Sequence, residues 1–371
     1  LLCMTGFVLF ANLQLDHTVK QPPEENAGKT AGGSGAGKKV SVIIPARNEE
    51  KNLPYLLGSL MEQTYPPGEI IVVDDFSSDR AREVAEKYHV KIVSNPPLPE
   101  GWTGKNWAVW NGYRNATGDI LIFLDTDVRL APDALNALLV TRERCGGSIS
   151  VVPYHYMEKL YERLSLVLNI LGLLAFTSPF ERKGAVKGLY GSCIVVARED
   201  YEAIQGHGSV RSELMDDLSL GKRFSEEGIP VNNFIGTDLV SFRMYPNGLK
   251  SVVEGFGKGA VSGMKAMRPS TICLVAMWVV GLVTVGIMAP VLLVMRHSLA
   301  LWFLLSYLIY TAQIFYFVKY TGNYKALIPI LHFIPSLFMV YVMLYSQYRL
   351  TIVKSISWKG REVHAGGEKS L

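Results

Sequence analysis

The sequence predicts an α/β protein, an open and mostly parallel sheet, followed by helices that cross a membrane. Three observations carry this. From Val40 onward, short apolar runs alternate with stretches of helical periodicity. The runs "VSVIIPA", "EIIVVDD" and "DILIFLD" are apolar at nearly every position, as expected of strands covered on both faces. After Met267, Thr271–Met295, Leu299–Val318 and about Ala326–Met343 are each long enough to cross ~30 Å of hydrocarbon at about 1.5 Å per residue.

Bulk properties agree. Mean hydropathy is +0.19 over 371 residues, and the apolar excess sits at the two ends. A net charge of only +4 argues against nucleic acid as a partner. The four cysteines (Cys3, Cys145, Cys193, Cys273) form no C-x-x-C, so neither a disulfide framework nor a zinc site is expected, in keeping with a cytosolic domain. Residues 1–15, "LLCMTGFVLFANLQL", read as part of an N-terminal membrane anchor, with no small-residue cleavage site. Residues 16–39 are a flexible linker rich in Pro, Gly, Ser and Lys. It holds a false P-loop: in Gly32-x4-Gly37-Lys38 the next residue is Lys39 where Ser or Thr should hold magnesium, and no strand precedes it.

The elements follow in order. "VSVIIPA" is the first strand, and Asn48 and Glu49 are placed to start the helix carrying Leu53, Leu56, Leu57 and Leu60. "EIIVVDD" is a strand, Asp79–Tyr88 a helix, "VKIVS" a strand. After the loop "NPPLPEGWTGKN" a helix runs to about Asn115, and "DILIFLD" is the next strand. Pro132 suits the first position of a helix, with Asp133 in its positive first turn. "SISVVPY" and "GSCIVVAR" are strands, "SELMDDLSLGKRFSEEG" carries a helix, and "VNNFIG" and "DLVSFRMYP" close the domain. Residues 157–180 are apolar inside a soluble domain and read as an interfacial helix or one that shields an apolar groove. Basic residues flank the C-terminal spans: Lys258, Lys265 and Arg268 before, Arg349, Lys354, Lys359 and Arg361 after. The positive-inside rule puts both flanks in the cytoplasm, which three full spans do not allow. Either one segment is re-entrant or the tail breaks the rule. The expected organisation is an anchor (1–15), linker (16–39), catalytic domain (40–268), transmembrane helices (269–346) and basic tail (347–371).

Three acidic pairs stand out: Asp74–Asp75, Asp125-x-Asp127 and Asp216–Asp217. The first two close strands, at the sheet edge where open α/β folds bind ligands. Residues two apart in an extended chain face the same way, so Asp125 and Asp127 can meet one ligand while Thr126 faces away. Two carboxylates suit a hard cation such as Mg2+ or Mn2+ that takes phosphate oxygens as further ligands. Solvated carboxylates at a strand end are the alternative reading of this short motif. His207, in "QGHGSV", either touches a substrate or holds a turn, and Trp102 and Trp107 either stack on a sugar or base or fill the core.

Taken together, "VSVIIPARNEE", "EIIVVDDFSSDRA", "GKNWAVWNGYRNATGDILIFLDTDV" and "MDDLSLGKRFSEEG" resemble family 2 glycosyltransferases with the nucleotide-diphospho-sugar transferase (GT-A) fold, over about residues 38–265. "LPEGWTGKNWA", "GHGSVRSELMDDLSLGKRF", "FRMYPNGLKSVVEGFGKG" and "WKGR" are similar to bacterial membrane glycosyltransferases acting on apolar lipids. Those include carotenoid-acid transferases and, more distantly, hopanoid-associated and ceramide glucosyltransferases. The resemblance implies that Pro45, Ala46, Arg47 and Glu49 line a nucleotide pocket, with Asp75 or Asp74 near the uridine and Lys105 beside the nucleotide. It implies that Asp125 contacts the sugar-nucleotide, Asp127 the metal, and that Asp217 is the catalytic base, with Asp216 standing where Glu is common. Arg243 falls near the place where processive relatives carry Q-x-x-R-W, a motif this chain lacks. The implied activity is inverting, metal-dependent transfer of a hexose from a UDP-sugar to a lipid, with a carotenoid acid as the first candidate. The protein would be multi-pass in the cell membrane with its catalytic domain cytoplasmic. Another lipid acceptor (hopanoid, ceramide, diacylglycerol or polyprenyl phosphate) is an alternative, as is a non-catalytic module that binds nucleotide-sugar or lipid.

Overall fold

The computed structural model describes residues 2–10, 37–177, 188–349 and 351, with backbone alone for 10, 177, 258–266, 355–358 and 361–364. Most of the linker and the false P-loop lie outside the described residues, as do Lys354 and Lys359 of the tail. The chain divides into two units. One comprises Leu15–Tyr154 and Gly184–Phe242; the other comprises Leu1–Gln14, His155–Lys183 and Arg243–Leu371.

The first unit is built on a seven-stranded sheet. Its strands are β1 (Val40–Ala46), β2 (Glu69–Asp74), β3 (Lys91–Ser94), β4 (Ile120–Leu124), β6 (Ser148–Val152), β8 (Cys193–Ala197) and β9 (Val231–Ile235). Two short strands, β5 (Val128–Leu130) and β7 (Tyr154–His155), intervene in the chain. The sheet order is β3-β2-β1-β4-β8-β6-β9. β1 is parallel to both β2 and β4, with Val42 opposite Ile70 on one side and Ile122 on the other. β8 runs antiparallel to β4 and β6, and β6 is parallel to β9, so the sheet is mixed and mostly parallel as expected. Every residue of β4, β6 and β8 is buried, which is why these runs are apolar without alternation. From β1 the chain winds to β2 and β3 on one side, then returns to β4 on the other. The order therefore switches between β1 and β4, where a crevice opens at the carboxyl ends of the strands.

Helices cover the sheet. Gly104–Arg114 starts from Thr103, whose hydroxyl accepts the Asn106 N–H at 3.3 Å, and packs on β1 and β2. Gly112 allows the approach, because a Cβ there would collide with Ile43 and Val73. The first sheet helix begins at Leu53 rather than near Asn48, because Asn48 has φ 54 and turns the chain first. Asp133 sits at the N-cap of Ala134–Cys145, so Pro132 lies just outside that helix.

Where β1 and β2 begin, Glu69 accepts hydrogen bonds from Ser41 Oγ (2.6 Å) and from Thr117 N and Oγ1 (both 2.7 Å). Burial works against its charge, but these donors and Lys39 outweigh it and hold the Glu69 carboxyl down to about 2. A depressed carboxyl stabilises the fold above its unfolded value near 4.5 and loses that contribution as pH falls toward 2. Glu69→Gln is therefore expected to cost roughly 2 kcal/mol at pH 7, with the gap to wild type closing between about pH 4.5 and 2. Thermal unfolding at stepped pH measures this; a gap independent of pH would refute it.

In the second unit, Pro269–Val294 (26 residues) and Ala300–Thr321 (22 residues) are long and apolar enough to cross a membrane. The third expected span is broken: Leu327–Ile330 ends at Leu331, and Phe333–Tyr348 restarts with 16 residues. Sixteen residues cover about 24 Å, short of the ~30 Å core. Pro329 and Pro335 flank the break, each lacking the N–H that a continuous helix needs. The short helix Leu2–Phe10 packs along Pro269–Val294, and Gln313 links the two, accepting from Trp278 Nε1 and donating to the Cys3 carbonyl, both at 3.1 Å. The apolar segment after residue 157 forms a 3-10 turn (Leu160–Ser165) and a helix (Leu166–Thr177) packed on Ala300–Thr321 and Phe333–Tyr348. It is an internal helix of this unit; residues 178–180 of that stretch lie outside the described residues. The amphipathic helix Leu249–Ala266 also belongs here, packed on Phe333–Tyr348.

Candidate active site

The carboxyl ends of β1, β2 and β4 gather most of the residues singled out from the sequence. Pro45 and Ala46 end β1, and the Ala46 carbonyl accepts the Asp75 N–H at 2.8 Å. Arg47 reaches across with Nη1 to the Asp75 carbonyl (3.0 Å) and to its Oδ2 (3.4 Å). Asn95 donates to Asp75 Oδ1 at 2.9 Å, and Asn111 donates to Asn95 at 2.9 Å. Asp75, Asn95 and Asn111 are all buried, so this side of the crevice presents a carboxylate held by a chain of amides. Asp74 turns outward: its Oδ1 accepts the Ser77 N–H at 3.1 Å and Arg82 lies 4.0 Å away. Glu49, two residues after Arg47, is buried and accepts from Asn52 Nδ2 at 2.9 Å.

The second cluster centres on Lys105, from the first turn of Gly104–Arg114. Its Nζ lies 3.0 Å from Asp125 Oδ1. Burial works against the ammonium charge, but the carboxylates of Asp125, Asp216 and Asp217 outweigh it and hold Lys105 above the usual lysine range. Asp125 follows β4, and its N–H donates to the Ser192 carbonyl at 3.0 Å. The adjacent Gly191 N–H donates to Asp217 Oδ2 at 3.0 Å, so one dipeptide ties both acidic positions to the entry of β8. Asp217 Oδ1 accepts the Leu218 N–H at 3.0 Å. Asp216 and Asp217 open the helix Asp216–Glu226, where the helix dipole favours negative charge. Gly191 has no room for a side chain larger than hydrogen without displacing Asp217, whose Oδ2 lies 3.0 Å from where a Cβ would sit.

The D-x-D segment is a turn and not an extended strand end. Val128 N–H donates to the Asp125 carbonyl at 3.2 Å, and β5 begins directly after. The alternation expected of a strand survives by other means: Thr126 is buried while Asp125 and Asp127 are partly exposed. As donors for a cation, two carboxylates offer hard oxygens, which fit Mg2+ or Mn2+. Among the described residues no group of three or more His, Cys, Asp or Glu gathers to hold a metal alone, so a cation here would complete its shell from a ligand or water.

Arg243 belongs to the other unit. Its Nε and Nη2 lie 3.1 and 2.9 Å from Glu162 Oε1, and Nη1 lies 2.7 Å from Glu158 Oε2. It borders a pocket lined by Met157, Met244, Val252 and Phe256.

Sequence reasoning missed the side chains that hold the crevice in shape. Asn106 is fully buried, and its Nδ2 faces the carbonyls of Val210 (2.8 Å), Arg211 (3.2 Å) and Glu213 (3.1 Å). It ties the loop before Asp216 to the helix that carries Lys105. Its place beside Lys105 in "GKNWA" is the only signal the sequence offered. Trp102 and Trp107 stack edge-on, with centroids 5.0 Å apart, and Trp107 Nε1 donates to the Pro96 carbonyl.

An open, mostly parallel sheet with carboxylates at its strand ends and beside a half-buried lysine is the layout of a nucleotide-sugar transferase of the GT-A type. Residues 41–205 match the family profile described as Glycosyl transferase family 2. A 4,4'-diaponeurosporenoate glycosyltransferase from Staphylococcus haemolyticus is 36% identical over 335 residues, covering 88% of each chain. The enzyme of that name from Staphylococcus aureus is 30% identical over 344 residues, covering 90% of each. A mannosyltransferase from Pyrobaculum calidifontis, solved with GDP-Man and Mn2+, shares the fold with a TM-score of 0.54 at 16% identity, over 95% of this chain and 100% of that one. The chain belongs to glycosyltransferase family 2.

Proposed function

We propose that the protein moves a hexose, with glucose as first candidate, from a UDP-sugar to a carotenoid acid, with inversion and with Mg2+ or Mn2+. The observation that carries this reading is the grouping of Lys105 with Asp125, Asp216 and Asp217 at the carboxyl edge of the sheet. The names of the relatives support the acceptor class. Asp75, an acceptor-only carboxylate held by Asn95 and Arg47, suits the N–H edge of a uracil ring. Asp125 faces the sugar-nucleotide and Asp127 the cation. The cation, when bound, neutralises charge growing on the leaving diphosphate.

The acceptor oxygen bonds to the anomeric carbon as the bond from that carbon to the phosphate oxygen breaks, and UDP leaves with the electron pair. A carboxylic acid would ordinarily arrive ionised, with a pKa of about 4 to 5. Entering from lipid and meeting the negative charge of Asp216 and Asp217 disfavours the charged form, so the acid docks protonated. Asp217 then accepts its proton during attack, and a hexosyl ester results. Lys105 offers a fixed positive charge to the diphosphate.

A multi-pass arrangement with a cytoplasmic catalytic domain fits two full-length helices, which return the chain to the side it left and keep both basic flanks together. Membranes of a host that makes a carotenoid acid, carrying this chain and given UDP-glucose, are expected to yield a lipid one hexose heavier by mass spectrometry, with chelator abolishing it. Hexose appearing on a different lipid, or none appearing, would overturn the acceptor assignment.

A further inference from the structure

Tyr201 and His207 take no part in the reaction as proposed, yet they lie directly behind its acidic pair. Tyr201 is 0% exposed and His207 2%. That burial removes the reading of His207 as a substrate contact. The turn that seats it is built for the purpose: Gln205 and Gly206 are both left-handed, φ 58 and 48, and a Cβ on Gly206 would overlap the Tyr201 ring. The Tyr201 hydroxyl accepts the His207 backbone N–H at 3.0 Å and lies 2.8 Å from His207 Nδ1. Burial raises the Tyr201 hydroxyl, keeping its proton on. The buried hydroxyl needs an acceptor for its own hydrogen, and Nδ1 is the acceptor within reach among its hydrogen-bond partners, which assigns Nδ1 that role. The ring proton of a neutral imidazole then sits on Nε2, and Nε2 lies 3.7 Å from Asp216 Oδ2. At this distance the two groups are in ion-pair range without a formed hydrogen bond; contacts of this kind at active sites are often long before substrate binds.

We propose that His207 is a positioning residue for the acidic pair: Tyr201 sets its tautomer, and its Nε2–H holds Asp216 inward so that Asp217 is presented to the acceptor. Asp216 is 8% exposed, whereas its neighbour Asp217 is partly exposed. Adjacent residues in one helical turn share a backbone, so holding Asp216 steadies the backbone from which Asp217 projects, while Gly191 and Leu218 hold the Asp217 carboxylate itself. The charged and titratable groups around the pair include Lys105, which also meets Asp125, and His207 and Tyr201. Tyr113 lies against Tyr201, with ring centroids 4.8 Å apart. Asn106 holds the intervening loop, so the spacing from His207 to Asp216 is set by the same helix that carries Lys105.

This inference rests on Asp217 as base, and its test separates the two. In the full chain in lipid nanodiscs labelled with 15N-histidine, two-bond proton–nitrogen correlations report the His207 tautomer, assigned by its loss in His207→Gln. The Nε2–H pattern is expected, becoming mixed in Tyr201→Phe. In UDP-glucose turnover, His207→Gln, whose amide nitrogen can stand in for Nε2, keeps kcat near wild type. His207→Met lowers kcat roughly ten- to hundredfold at unchanged KM for the donor. An Nδ1–H tautomer in the wild type, or wild-type kcat in His207→Met, would overturn the proposal and leave the base assignment standing. Full turnover in Asp217→Asn would remove the base whatever the tautomer.

Discussion

Replacing Asp217 by asparagine is expected to lower transfer roughly 10²- to 10⁴-fold while UDP binding stays unchanged. The substitution keeps the shape and removes the basic oxygen. It also has a local cost: both carboxylate oxygens accept backbone N–H groups, from Gly191 and Leu218, and an amide can accept only one of these. The other N–H would face an NH2 group, a loss of about 1 kcal/mol. Stability and turnover must therefore be read together. A small drop in melting temperature with a large drop in kcat supports the base. Retention of full-rate turnover would sink it, and a loss of UDP affinity matching the loss of rate would move Asp217 to the donor side. The acceptor's pH behaviour adds a second readout. If the acid docks protonated, adding a pre-ionised acceptor above its bilayer pKa should not rescue Asp217→Asn.

Much of this site was legible because each acidic pair ends something. Asp74–Asp75 and Asp125 end runs whose strand character is fixed by burial on both faces, and Asp216–Asp217 open a helix with clear periodicity. Strand direction was not legible. The apolar run of β8 reads the same in either sense, and only pairing with β4 and β6 sets it antiparallel. The geometry at Asp125–Asp127 was misread for a related reason, since two partly exposed residues around a buried one fit a strand or a tight turn equally well. The amide network was invisible in principle. Asn106 meets Val210, 104 positions later, and no local pattern marks a side chain whose partners are backbone carbonyls so far along the chain. The third membrane segment failed on length: hydropathy counted residues across Leu331 and His332, where the helix breaks. Arg243 was placed by motif position alone, and its pairing with Glu158 and Glu162 depends on residues some 80 positions earlier.

Lys105→Met is expected to act in opposite directions on the two ligands of the site. Lys105 is the cation that Asp125 now holds, at 3.0 Å, with Asp216 and Asp217 within its field. A divalent cation held by Asp127 would lie two residues from Asp125, close to that ammonium, so the two positive charges oppose each other. Removing the ammonium should tighten binding of Mn2+ alone, by roughly tenfold: unit charges a few ångströms apart interact by several kcal/mol at an effective dielectric near 20, and partial exposure screens much of that. UDP-glucose should bind more weakly, because the anionic diphosphate loses its fixed positive partner while four nearby carboxylates remain. Turnover should fall by at least the factor a lost electrostatic donor usually costs, about 10²-fold. Methionine keeps the stem's apolar packing, so the fold should survive. Titration of Mn2+ by electron paramagnetic resonance and of UDP-glucose by calorimetry reads the two arms separately. Weaker Mn2+ binding in Lys105→Met would mean that the ammonium organises the cation's ligands and does not oppose the cation. Unchanged UDP-glucose binding would move Lys105 away from the diphosphate and leave it as the counter-charge of the acidic pair alone.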